Sequence, residues 1–196
     1  MGRPRADSYD TTTEERLLQA AEVEFGRDGF DRARLEDIAR SAGITRPSLL
    51  YYFASKEQIY AAVVHRAFEG LRGALHASFA ADLPFEERLD GTVLAYLDFL
   101  HTHPQIAGVL LREVIDGRGP GRDLVLSVVA PMIDLVERFI VKEGRGKLVA
   151  GLPVRGALLM IIGSALVQAT SGGLRDRLYG PTDDTRALTR SLFFGR

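Results

Sequence analysis

Residues 43–60 read GITRPSLLYYFASKEQIY. Four aromatic residues, a proline, an arginine and a lysine share these eighteen positions. Aromatic residues that dense usually belong to a core, yet here polar and apolar residues interleave so that no single buried face accounts for them. Suppose a helix starts after Thr45, a natural N-cap. Pro47 then falls in the first turn, where the amides have no intrahelical partner and proline costs little. Advancing about 100° per residue gathers Leu49, Leu50 and Phe53 on one face and Pro47, Ser48, Tyr51 and Tyr52 on the opposite one. A helix buried all round has no use for that second face. A helix that reads DNA does, because hydroxyls reach phosphates and base edges while rings pack against sugars and thymine methyls. Arg46 points toward the apolar side by angle, but it lies at the helix start, where its length lets it swing out.

Working upstream, LEDIARSAG (residues 35–43) reads as a second short helix and a turn. Ala39 is small where two helices must approach closely. Gly43 follows four residues later, where a tight turn favours positive φ. Ile38, Ile44 and Leu49 supply buried anchors on both sides. These are the steric requirements of a helix-turn-helix, shared with many helical hairpins. Earlier still, TTTEE (residues 11–15) offers overlapping capping boxes. The stripe Leu17, Ala20, Ala21 and Phe25 then predicts a helix ending at Gly26 or Gly29. Downstream, Ser55 and Gln58 make another capping box, opening a helix that reaches Phe79. At about 1.5 Å per residue it spans roughly 37 Å, enough to leave a small N-terminal module and enter a second one.

The bulk numbers fit such a plan. The chain has 196 residues, 46% hydrophobic and 26% charged, which speaks against wholesale disorder. Cysteine is absent, which removes disulfides, thiol catalysis and cysteine metal sites and suits a cytoplasmic protein. The formal net charge is −1, so nucleic-acid binding must rest on local arginines and backbone amides and not on overall charge. MGRPRADSYD has no apolar run and does not read as a signal peptide. The one membrane-like stretch, residues 156–174, is interrupted by Gln168, Thr170 and Ser171 and reads as a buried or interface helix.

Beyond Pro84 helical spacing recurs, broken at HTHP, DGRGPG, EGRGK and SGG. The expected helices are 84–102, 104–115, 122–143, 154–168 and 183–194. The fold class is all-α: a helix-turn-helix module over residues 1–54 and a helical bundle over residues 55–196.

From Thr12 to Tyr60 the chain resembles the N-terminal domain of the TetR family of transcriptional regulators, in both the motifs and their order. The remainder resembles the family in layout: a long connecting helix and a variable bundle. The resemblance implies a DNA contact set of Thr45, Arg46, Pro47, Ser48, Tyr51, Tyr52 and Lys56. Leu50 departs from the family, which usually has tyrosine there, so no contact is carried to it. Lys56 adjoins the Ser55 cap, so its ammonium and the helix amides are placed to grip one phosphate together. Arg3 and Arg5 lie either on an arm that enters the minor groove or on a disordered terminus.

The resemblance also implies that part of the bundle core is hollow and binds an effector. The candidate pocket residues are Tyr96, Phe99, Leu100, Leu111, Arg112, Met132 and Val136; for the apolar ones, an ordinary packed core is the other reading. His101 and His103 have no evident carboxylate partner, and a helix C-terminus favours histidine by its dipole alone. No metal or cofactor is expected.

The helix from Val154 carries apolar residues most of the way round, so one side needs a second subunit. The expected homodimer interface comprises Leu159, Ile162, Gly163, Leu166, Leu188 and Leu192. The reading is a dimeric, ligand-responsive DNA-binding regulator, a repressor on a palindromic operator, and not an enzyme. A helical enzyme with an accessory DNA-binding head would need a catalytic constellation, and none is visible. A structural DNA-binding protein without an effector would need a fully packed second module.

Overall fold

A computed structural model describes residues 12–116 and 120–195. Its α-helices are α1 (Thr13–Arg32), α2 (Leu35–Ser41), α3 (Arg46–Tyr52), α4 (Lys56–Ala80), α5 (Phe85–Thr102), α6 (Pro104–Asp116), α7 (Pro120–Leu124), α8 (Ala130–Glu143), α9 (Val154–Thr170), α10 (Arg175–Tyr179) and α11 (Thr185–Phe194). A π-helical turn, Val125–Val129, joins α7 to α8, and a 3₁₀ turn, Gly172–Leu174, precedes α10. No strand occurs among the described residues, in keeping with the all-α expectation.

The helix starts are built as the sequence predicts. The Glu15 amide donates to Thr12 Oγ1 at 3.2 Å, and the Thr12 amide donates to Glu15 Oε2 at 2.8 Å, a complete capping box. At α4 the pattern slips by one residue. The Gln58 amide donates to Ser55 Oγ at 3.2 Å, but Gln58 Oε1 accepts from Ala54 and not from the cap residue itself. Positive φ at Gly29, 73°, interrupts α1 where its end is expected, yet the chain resumes helical geometry to Arg32.

The chain divides into two compact units after Val63, inside α4. The division falls past Ala54, the sequence boundary, because the first turns of α4 belong to the core of the first unit. Ile59 is fully buried and Tyr60 nearly so, and the Tyr60 ring meets Phe25 edge-on at 4.9 Å and Phe30 at 5.1 Å. Burying such a side chain contributes about 1.5–3 kcal/mol. Leu17, Ala21, Ile38 and Leu49 complete this core at 0% exposure.

In the second unit α9 packs against α5, α6, α8 and α11. Phe79 stacks on Phe139 at 4.2 Å, and Phe85 tilts against Phe139 at 5.6 Å. Ion pairs pin the periphery: Arg190 to Asp90 between α11 and α5, Arg88 to Glu143 between α5 and α8, and Arg155 to Asp134 and Glu137 between α9 and α8. Among the described residues no single helix is long and apolar enough to cross a membrane. The apolar helix α9 and the segment after it would reach that length only together, and they bend by 110°.

Candidate functional site

The helix-turn-helix turn closes on Gly43. Its φ is 72°, and the Ile44 amide donates back to the Ala39 carbonyl at 2.9 Å while the Gly43 amide donates to Arg40 at 3.1 Å. This closes α2 with its last carbonyls satisfied. Ala39 is 2% exposed, as close approach of α3 requires.

The two faces of α3 separate as its sequence demands. Leu49 is fully buried and Phe53 is 9% exposed, whereas Thr45, Arg46, Pro47 and Ser48 are exposed. Tyr51 is 86% exposed and Tyr52 43%, their rings meeting perpendicularly at 5.6 Å. Thr45 caps the helix by accepting from the Ser48 amide at 3.3 Å, and the two hydroxyl oxygens lie 2.9 Å apart. Arg46 Nε reaches Glu36 Oε1 on α2 at 2.9 Å, so the helix-start arginine leans on its neighbour. An exposed pair of this kind contributes about 0–1 kcal/mol, so a phosphate can compete for it.

Lys56 is engaged differently from the sequence expectation. Its Nζ donates to the carbonyls of Asp31, at 3.1 Å, and Ala33, at 3.0 Å, and lies 4.5 Å from the Phe30 ring centroid. An ammonium has three N–H donors. Two close the end of α1, which leaves one for a phosphate. Arg3 and Arg5 lie outside the described residues.

The second unit contains a cavity of about 430 Å³ whose described wall is almost wholly carbon. Tyr96, Leu111, Met132 and Val136, four of the expected pocket residues, line it. The other three do not. Phe99 packs on Phe68 at 5.1 Å and on His103 at 5.4 Å, filling space between helices. Leu100 is buried beside a separate depression with His101, Gln168 and Arg175. Arg112 is half-buried and absent from the wall.

Four residues expected at a dimer interface, Leu159, Ile162, Gly163 and Leu166, also line the cavity. The reason is that α5, α6, α8 and α11 all pack on α9, so more of its circumference turns inward than a two-sided reading allows. Leu166 is only 7% exposed and offers little to another chain. Exposed apolar residues of α9 are Leu159, Met160 and Val167, at 48%, 63% and 37%. On α11, Leu188 is 41% exposed and Leu192 half-buried.

Sequence reasoning missed the contribution of α4. Phe68, Leu71 and Leu75 form part of the wall, and their helical spacing was the available signal. The Tyr96 hydroxyl donates to the Ile162 carbonyl at 3.1 Å, and burial pushes the phenol well above its ordinary range, so it stays neutral.

The family model for bacterial regulatory proteins, tetR family, matches residues 17–63, the stretch that builds the first unit. The HTH-type transcriptional regulator RutR of Escherichia coli (strain K12) is 30% identical over 132 residues, 66% of this chain and 62% of RutR. The match thus spans less than two thirds of the length of RutR. The uncharacterized HTH-type transcriptional regulator TtgW of Pseudomonas putida is 30% identical over 109 residues, 55% of this chain and 78% of TtgW. The chain belongs to the TetR family. The likeness of its TetR fold extends over both units. The transcriptional regulator FadR of Bacillus subtilis superposes with a TM-score of 0.75 at 18% identity, covering 92% of this chain and 98% of that one.

Proposed function

We propose that this TetR-family chain is a transcriptional regulator that binds duplex DNA through α3 as a homodimer, represses from a palindromic operator, and is released when a small-molecule effector fills the cavity of the second unit. The observation that carries the reading is the outer face of α3. Tyr51 is 86% exposed and buries almost nothing within its own chain, beside Thr45, Arg46, Pro47, Ser48 and Tyr52 on a short, capped helix. Lys56 adds one N–H at the start of α4. RutR and TtgW, both named HTH-type transcriptional regulators, support regulation over catalysis and, with it, a place in the cytoplasm beside DNA. The 430 Å³ cavity supports an effector, since a purely structural DNA-binding protein has no need of a hollow bundle. FadR of Bacillus subtilis, solved in complex with stearoyl-CoA, supports a ligand in a chain of this fold.

Selection from a pool of random-sequence duplexes tests the reading. Wild type is expected to enrich an inverted repeat with half-sites about one DNA turn or more apart. Tyr51→Ala, with its helicity checked by circular dichroism, is expected to bind the selected duplex at least about tenfold more weakly, the loss of one good contact. A pool that yields no enriched sequence overturns the assignment.

A further inference from the structure

We propose, resting on the effector reading above, that the cavity of the second unit takes an uncharged, hydrocarbon-like molecule and rejects ligands that must bury an ionised group. Three hydroxyls interrupt the carbon of the described wall: Tyr96, Thr92 and Thr189. Each donates its proton to a backbone carbonyl. Tyr96 donates to Ile162 at 3.1 Å, Thr92 to Arg88 at 2.8 Å and Thr189 to Thr185 at 2.8 Å. A hydroxyl has only one proton to donate. For any of the three to serve a carboxylate or phosphate, it must give up the hydrogen bond it already makes, so the ligand trades one bond for another and gains little toward burying its charge. The Tyr96 bond also joins α5 to α9, so turning it toward a ligand would loosen two walls at once.

No lysine, arginine or histidine stands in the described wall, so an ionised ligand finds no opposite charge there. Burying a charge without a partner is strongly unfavourable. The rim does not relieve this. Val114, Leu159 and Val167 belong to the wall and are 65%, 48% and 37% exposed, so the described part of the accessible edge is apolar as well. What remains favourable is contact between carbon and carbon in a space of 430 Å³, inside the range of about 300–1,000 Å³ that holds drug-sized molecules.

Two fluorescent probes with the same ring system test this on the full chain: N-phenyl-1-naphthylamine, which is uncharged, and 8-anilino-1-naphthalenesulfonate. A second matched pair, dodecanol and dodecanoate at pH 8, competes against the uncharged probe. The uncharged probe is expected to bind at least about tenfold more tightly than the sulfonate, and dodecanol to displace it at concentrations at least about tenfold lower than dodecanoate, for a cost of one unpaired polar group or more. Gly163→Leu adds bulk to the wall at a position where a Cβ meets nothing within 4 Å, and it is expected to abolish probe binding in a folded protein. Val114→Lys places a cation on the exposed rim and is expected to bring dodecanoate up toward the alcohol. Equal binding of the charged and uncharged partners in wild type overturns the proposal, as does probe binding that survives Gly163→Leu. A chain that binds none of the four molecules loses the effector reading itself, a separate outcome.

Discussion

Two glycines show how differently one residue type is required. Gly43 has φ 72° and a Cβ there would meet nothing within 4 Å, so its requirement is purely conformational. Gly43→Ala is expected to destabilise the protein by about 1 kcal/mol, the cost of an L-residue in the left-handed region. Gly144 has an ordinary φ of −86°, but a Cβ there would meet the Ile140 carbonyl oxygen at 2.6 Å and the Phe85 ring at 2.8 Å. Gly144→Ala is therefore expected to lower the melting temperature by displacing both the Phe85 ring and the Ile140 carbonyl, a steric requirement and not one of φ. Lys56 carries two tasks that one substitution separates. Lys56→Ala strands the Asp31 and Ala33 carbonyls and is expected to lose about 1 kcal/mol of stability. Its remaining N–H predicts a salt slope for DNA binding shallower by about one unit. A lowered melting temperature with an unchanged slope would assign Lys56 to the fold alone.

Between elements, the Arg88–Glu143 pair joins α5 to α8, and a hydrogen bond from Arg88 holds the Glu143 carboxyl below its ordinary value of 4.5. A carboxylate held low in the folded state stabilises fully above its unfolded value. That contribution disappears as pH falls through the lowered folded value. Wild type is thus expected to lose stability more steeply than Glu143→Gln as pH drops below about 4.5, the ordinary carboxylate value. Thermal melts between pH 3 and pH 7 check the difference in slope. The helices between α6 and α9 depart from their sequence pattern. The sequence predicts one helix over residues 122–143, whereas α7, a π-helical turn and α8 share that span, and Val129 of the turn lines the cavity. A π-turn leaves no periodicity signal, because it shifts the helical face by a single residue.

For the molecule as a whole, the proposed dimer rests on what α9 and α11 leave uncovered. Ile162 stands among the interface residues expected from the sequence, but it lines the cavity of its own chain. Met160, 63% exposed, is the better test. Met160→Asp is expected to give a folded protein that sediments as a monomer, against twice that mass for wild type. An undisturbed dimer in the variant would move the interface elsewhere. The proposed effector response belongs to this scale too. Because α4 contributes residues to both units, a ligand against Phe68, Leu71 and Leu75 acts on the same helix that buries Tyr60. A coupling of about 1–3 kcal/mol is expected, measured as the change in DNA affinity at saturating ligand.

The order of residues suffices for the all-α class, the helix-turn-helix and the outward face of α3. These follow from local rules: a threonine cap, a proline in the first turn, a glycine at positive φ, and side chains distributed by the helical period. Each is settled within a few residues of chain, so no long-range contact is needed to read it. The cavity is different, because it exists only once the helices have packed. Leu100 and Leu111 are the same residue type on apolar helices, the first packed away and the second in the cavity wall, and nothing local distinguishes a leucine that fills space from one that lines it. That difference depends on how closely α4, α5, α6, α8, α9 and α11 approach one another, a property of the whole bundle. The same holds for Lys56, whose partners lie 25 and 23 residues away on a chain segment that only folding brings near.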